Sequence, residues 1–302
     1  MHSSATRLRG VLPAVITPYT EDGTIDEALF TTEVDYLAAA GVDGFFVAGT
    51  TAEGAYLTDE ERVRLTRLVK ERIEGRLCCV AALVPDTTAV LRTIDRLAPL
   101  EPDFVSAVTP FYMHASQSDL VHHFTTIADR SPVPLILYNI PQNSHNRLEL
   151  ATIVELAGHP NIAGIKDSAG VFMDYQRGLL ATADDGFTWI QGEDLLDAPA
   201  LLMGGQCIVT GLGNAWVEPY VAMYRAARAG AADRVVKEQA RINSLAGIIF
   251  ATGGAVIPSI KYASELQGRS SARMRVASME LSSGQKRTVA EVLRGIGLDV
   301  SG

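Results

Sequence analysis

The stretch Asn161-Ile162-Ala163-Gly164-Ile165-Lys166-Asp167-Ser168 decides how the chain is to be read. Ile162 to Ile165 is a short apolar run with a glycine in it, the composition of a strand buried on both faces in a parallel sheet. Lys166 closes that strand. A lysine there is costly unless water, a carboxylate or a chemical task accounts for it. In α/β sheets and barrels, ligands bind at the carboxyl ends of the strands. Desolvation favours the neutral amine, which can then attack a carbonyl. The plainer alternative is an ion pair between Lys166 and Asp167 or another acid.

Working outward, the same kind of apolar run recurs. Strands are expected at Gly10–Ile16, Gly44–Ala48, Leu77–Leu83, Phe104–Val108, Pro134–Tyr138, Ile162–Lys166, Phe187–Gln191 and Cys207–Thr210. Helical periodicity falls between them, at Asp26–Ala40, Thr58–Glu74, Thr88–Leu97, Ser118–Asp129, Leu148–Ala157, Phe172–Ala181, Leu195–Met203 and Val217–Ala229. Thr58-Asp59-Glu60-Glu61 has the form of a capping box. Strands alternating with helices imply a parallel sheet, and eight units imply closure into a (β/α)8 barrel, the TIM-barrel architecture. An open doubly wound sheet is the alternative. No Gly-x-Gly-x-x-Gly follows a strand into a helix, which disfavours its dinucleotide-binding form. Val235–Ile249, Ile257–Leu266 and Ser283–Leu293 add further helices. We therefore expect a catalytic barrel over residues 1–230 and a helical extension over 231–302 packed on it as one unit.

The 302 residues are 47% hydrophobic and 20% charged, which fits a large globular core. A formal net charge of −9, with no basic cluster, argues against nucleic acid and anionic membrane as partners. No apolar run approaches the length of a membrane span. Met1–Gly10 lacks the apolar core of a secretory signal. Cys78, Cys79 and Cys207 lie in apolar runs and read as buried, reduced thiols, with the cytosol as the expected compartment.

In a closed barrel, the residues after each strand share one rim. That rim would carry Thr50 and Thr51 after the second strand, Tyr112 after the fourth, Tyr138 at the end of the fifth and Lys166 at the end of the sixth. Gly192 follows the seventh, and Val209 lies near the end of the eighth. Of the five lysines, Lys70, Lys237 and Lys286 sit among polar neighbours on amphipathic helices, and Lys261 is ambiguous. Only Lys166 ends a buried strand. Tyr138 on the adjacent strand can reach it, and a phenol there can move protons between carbinolamine and imine. The turn Gly49-Thr50-Thr51 offers hydroxyls and N–H groups suited to a carboxylate. Glu53 reads more simply as a structural acceptor within its loop. No metal set is evident: His122 and His123 are adjacent in a helix and cannot share a face, while His114, His145 and His159 read as loop residues. No Gly-x-Ser-x-Gly elbow anchors a serine triad.

These residues carry a resemblance. Gly49-Thr50-Thr51-Ala52-Glu53, Val108-Thr109-Pro110-Phe111-Tyr112, Tyr138-Asn139-Ile140-Pro141 and Gly164-Ile165-Lys166-Asp167-Ser168 resemble, in order, motifs of the dihydrodipicolinate synthase/N-acetylneuraminate lyase family of class I, pyruvate-handling aldolases. The resemblance spans about residues 8–297. It implies that Lys166 forms an imine with pyruvate or another 2-oxo acid and that Tyr138 is the proton shuttle. Thr50 would link Tyr138 toward Tyr112, which in the family often reaches into a neighbouring subunit's site. Thr50 and Thr51 would hold the substrate carboxylate, with Val209 and the Gly192 carbonyl lining the imine. It also implies a homotetramer, a dimer of dimers, that needs no metal or organic cofactor.

The departures concern substrate. Dihydrodipicolinate synthases carry an arginine for the semialdehyde carboxylate where this chain has Asn143, and an amide cannot make the bidentate contact of a guanidinium. Arg147 lies four residues further on. Sialic-acid lyases carry an Asp-Glu pair where this chain has Asp194-Leu195, and a serine where it has Gly211. Ala52 replaces the usual glycine, so some alteration of the threonine turn is expected, since alanine resists positive φ. The expected activity is aldol cleavage, condensation or dehydration of a 2-oxo acid, such as a 2-keto-3-deoxy sugar acid. The alternatives are dihydrodipicolinate synthesis from pyruvate and aspartate semialdehyde, a non-catalytic 2-oxo-acid-binding barrel, and a metal-dependent barrel hydrolase.

Overall fold

A computed structural model describes residues 7–183 and 186–300. The outer limits of the two expected regions, and residues 1–6 of the stretch read for a signal, lie outside the described residues. Eight strands follow in order: β1 (Gly10–Pro13), β2 (Gly44–Val47), β3 (Leu77–Ala82), β4 (Phe104–Val108), β5 (Leu135–Asn139), β6 (Ile162–Asp167), β7 (Thr188–Gln191) and β8 (Cys207–Thr210). All paired neighbours are parallel, in the order β1-β8-β7-β6-β5-β4-β3-β2. An Ala14–Phe46 bridge brings β1 against β2, so the sheet closes into the expected (β/α)8 barrel with additional C-terminal helices.

Alternation along each strand sorts the side chains. Leu12, Phe46, Cys79, Phe104, Val108, Ile136, Tyr138, Ile190, Cys207 and Val209 form the cluster inside the barrel. Their chain neighbours Val11, Phe45, Val47, Cys78 and Val80 pack outward against the helices. All three cysteines are free and buried. Val235, Ile242, Leu245, Ile260, Val289 and Leu293 of the C-terminal helices join the outer cluster, so the last quarter of the chain shares a core with the barrel.

Several expected boundaries move, each for a local reason. The first strand ends at Pro13, because beyond it the backbone turns to other acceptors: Val15 N–H donates to Phe46 O at 3.1 Å and Ile16 N–H to Asn214 Oδ1 at 3.2 Å. Thr58 and Glu61 form the expected reciprocal capping box, but that helix runs only over Asp59–Lys70. The helix expected from Leu195 splits into a 3-10 turn (Asp194–Leu196) and a helix (Asp197–Leu202), since Pro199 has no N–H to donate to the carbonyl of residue 195. The expected Val235–Ile249 helix divides at Ala246 into Ala232–Leu245 and Gly247–Phe250.

One irregularity sets the site. Leu135 pairs with Ile162, but Ile136 pairs with Gly164, so Ala163 is an extra residue in β6. Without that shift Tyr138 would stand beside Ile165, whose side chain points to the helices. With it, Tyr138 stands beside Lys166 and both point inward. Gly164 lets β7 pair closely on the other side of β6, because a Cβ there would collide with the Thr188 backbone of β7.

Candidate active site

Lys166 is 5% exposed and Tyr138 1%. Lys166 Nζ donates to Tyr138 Oη at 2.8 Å, and Tyr138 Oη shares a hydrogen bond of 3.0 Å with Thr50 Oγ1. The chain amine–phenol–hydroxyl thus joins the ends of β6 and β5 to the turn after β2. Among the described residues Lys166 forms no ion pair. Asp167, the neighbour that could have claimed it, points away from the barrel interior and accepts from Asn139 Nδ2 at 2.9 Å; burial raises its pKa. The simple ion-pair reading of Lys166 is therefore set aside.

The surroundings of the amine are aromatic and aliphatic. Nζ lies 5.1 Å from the Phe46 ring centroid, and Phe46 meets Tyr138 edge-on at 6.1 Å. Val209 belongs to the same interior cluster. Gly192 follows β7, and its carbonyl accepts from Ser168 Oγ at 3.2 Å. A Cβ at Gly192 would overlap Ser168 Oγ and come within 3.2 Å of Lys166 Cε, so glycine here leaves room for the lysine. Phe46 escaped the sequence reading. Alternation in Gly44-Phe45-Phe46-Val47 puts one phenylalanine inside and one outside, and only the register says which.

Thr50 and Thr51 open a 3-10 turn (Thr50–Ala52). The first N–H groups of such a turn have no acceptor within it and stay available to an anion. The expected strain at Ala52 is absent. Ala52 sits inside the turn, while the positive φ falls on Ala48 (55°) and Glu53 (57°) at its two ends. Thr51 Oγ1 faces Gly211, 3.1 Å from where a Cβ would stand.

The remaining candidates do not join the hydrogen-bonded chain Lys166–Tyr138–Thr50. Asp194 accepts from Tyr220 Oη at 2.7 Å and from Thr210 Oγ1, so its carboxylate is already held by protein donors; burial raises its pKa. Asn143 is exposed and lines a cleft of about 190 Å³ beside Thr50, with Tyr56, Leu83, Phe111, Ile140 and Ile257. Arg147 is engaged by Asp174. Tyr112 is 91% exposed, with φ at 76°, and meets neither Thr50 nor Tyr138 within this chain. Lys261, ambiguous in the sequence, is fully buried and paired with Glu53 at 2.7 Å. Among the described residues, no group of three or more His, Cys, Asp or Glu could hold a metal ion, and no helix is long and apolar enough to cross a membrane.

Comparison with known proteins identifies the family. The dihydrodipicolinate synthetase family profile matches residues 7–296. The 4-hydroxy-tetrahydrodipicolinate synthase of Moorella thermoacetica is 32% identical over 95% of this chain and 98% of its own, and that of Methanosphaerula palustris 30% identical over 94% and 98%. Among solved structures, a dihydrodipicolinate synthase of Bacillus anthracis superposes with a TM-score of 0.88 at 28% identity, covering 95% of this chain and 98% of its own. A prophage protein of that family from E. coli K12, solved in complex with pyruvate, superposes with a TM-score of 0.90 at 25% identity, covering 96% and 99%. The chain belongs to the dihydrodipicolinate synthetase family of lyases.

Proposed function

We propose that this protein is a Schiff-base lyase in which Lys166 forms an imine with the keto carbon of pyruvate or a longer 2-oxo acid. The observation that carries the reading is the buried Lys166 Nζ, 2.8 Å from Tyr138 Oη and in ion-pair contact with no carboxylate among the described residues. Attack by the unprotonated amine gives a carbinolamine. Loss of its hydroxyl as water gives the imine, with Tyr138 delivering the proton and Thr50 next in line to return it. The imine then accepts the electron pair left when a C–C bond breaks or a C3 proton departs. Thr50 and Thr51 hold the carboxylate of the 2-oxo acid, and Val209 and the Gly192 carbonyl line the imine. Tyr112, exposed on its own chain, is assigned to a neighbouring subunit's site in a homotetramer. Asn143, which lines the cleft beside Thr50, is assigned to the part of the substrate beyond the pyruvate unit; Asp194, whose carboxylate Tyr220 and Thr210 already hold, is not. Three buried, free thiols support a reducing compartment such as the cytosol.

Cleavage, condensation or dehydration of a 2-keto-3-deoxy sugar acid is the preferred reaction. The curated relatives named 4-hydroxy-tetrahydrodipicolinate synthase favour a second reading, condensation of pyruvate with aspartate semialdehyde. Against it stand Asn143 in the arginine position and the commitment of Arg147 to Asp174. Pyruvate with borohydride should leave one stable adduct, on the peptide containing Lys166, and none in Lys166→Ala. No adduct, or one on Lys261, would refute the imine. Turnover of a panel of 2-keto-3-deoxy acids against aspartate semialdehyde ranks the substrates; efficient semialdehyde condensation would put the second reading first. Trapping without any turnover would leave a binding barrel.

A further inference from the structure

The structure holds two buried cations that the imine chemistry does not use, and both grip the Thr50–Thr51 turn. Arg62, on the helix Asp59–Lys70, is 1% exposed and has no carboxylate in ion-pair contact among the described residues. Its guanidinium donates instead to carbonyls: Ala81 O at 2.6 Å, Gly54 O at 3.0 Å and Ala48 O at 3.4 Å. Ala48 and Gly54 bracket the turn. Lys261, on the helix Val256–Glu265, is fully buried and reaches the turn from the C-terminal side. Its Nζ donates to Glu53 Oε1 at 2.7 Å and to Arg273 O, while Glu53 Oε2 accepts from Arg275 N–H at 2.8 Å. Thr17 Oγ1 adds a bond of 2.9 Å to Ala52 O.

This grip has something to hold. The turn is flanked by two non-glycine residues in the left-handed region, Ala48 and Glu53. Such conformations persist only where the surroundings over-determine them, and they gather at binding sites. A buried ion pair is a poor means to stability alone, since apolar residues of the same volume often serve as well. Here both cations converge on one seven-residue segment. That segment carries a hydroxyl bonded to Tyr138 and a second hydroxyl beside it.

We infer that Arg62 and the Glu53–Lys261 pair are positioning residues that hold the Thr50–Thr51 turn in the shape that receives the substrate carboxylate. The inference rests on the imine reading above and adds how its carboxylate subsite is built. Through Lys261 and the segment 273–275, the C-terminal helices take part in substrate binding without touching substrate.

The test uses borohydride trapping at Lys166 with two ketones: pyruvate, and its neutral amide, pyruvamide, which lacks the carboxylate. Two variants are compared with the parent protein: Arg62→Lys, which keeps the charge but loses the fork, and the double variant Glu53→Gln/Lys261→Met, which removes both charges together. The concentration of pyruvate for half-maximal trapping should rise about tenfold in each. That for pyruvamide should change less than about twofold, so the preference for the anion shrinks. Folded variants that trap both ketones as the parent does, or that lose both in parallel, overturn the inference. If one variant fails to fold, the other decides by the same readout. If neither folds, the grip is purely structural and the inference falls. Absence of any adduct in the parent protein is a different result, which refutes the imine itself and this inference with it.

Discussion

At the scale of single residues, the proposed chemistry depends on Lys166 being buried beside a phenol and in ion-pair contact with no acid among the described residues. Its nearest acid in sequence, Asp167, is one residue on, and strand alternation sends that carboxylate to the opposite face, to Asn139. A buried lysine without a carboxylate is unusual, and the contrast with Lys261 is instructive: equally buried, but locked to Glu53. Of the two, only the first lacks an ion-pair partner among the described residues. Tyr138→Phe keeps the ring against Phe46 and removes only the oxygen between Nζ and Thr50. It should lower kcat by about 100-fold or more, with KM for the 2-oxo acid changing less than about threefold. Steady-state kinetics on the best substrate of the panel checks this, and an unchanged kcat would remove Tyr138 from the proton path.

At the scale of elements, the pairing of β5 with β6 brings lysine and phenol together, and Gly164 fits β6 against β7 on its other side. Gly164→Ala would press a methyl group into the β7 backbone at Thr188. Overpacking of this kind costs about 1–3 kcal/mol, which chemical denaturation should read as a lowered unfolding midpoint. A second element-level feature is His123, in the helix Gln117–Arg130. Its Nδ1 meets Thr87 Oγ1 at 2.8 Å, at the start of the helix Thr87–Leu97. Burial depresses its pKa from 6.5 to about 4, although Asp86 nearby opposes the shift. The unfolded chain therefore takes up a proton at higher pH than the folded one. This contribution to stability is complete above pH 6.5 and is lost as pH falls toward 4, a change on the order of 3 kcal/mol. In His123→Gln the slope of unfolding free energy against pH should flatten over that window; an unchanged slope would assign the acid limb to other groups.

At the scale of the whole molecule, Tyr112, Met113 and Tyr56 are exposed near the barrel mouth, at 91%, 73% and 50%. Exposed apolar groups gathered near a site mark a surface for association, and the tetramer proposed above would use them. Sedimentation should show an assembly of four 32.4 kDa chains; a monomer at working concentration would leave Tyr112 without a site to complete. The barrel itself was legible in the chain, because eight apolar runs alternate with eight amphipathic segments, and burial of strands on both faces leaves that pattern in any sequence. So was the gathering of Lys166, Tyr138 and Thr50 at one end of the barrel, because strand ends are marked by the change from apolar to polar residues. Other features were not, and for a common reason. The extra residue Ala163 in β6, which puts Tyr138 and Lys166 on one face, has no mark of its own, since a bulge depends on what the neighbouring strand can pair with. The partner of Lys261 lies 208 positions away, and the positive φ at Ala48 and Glu53 in place of Ala52 reflects what the packing enforces, not what those residues prefer. Local patterning determined the strands, the helices and the lysine that ends a buried strand; the closure of the barrel decided which side chains that lysine meets, because register and long-range burial are settled only when all eight strands compete for the same interior.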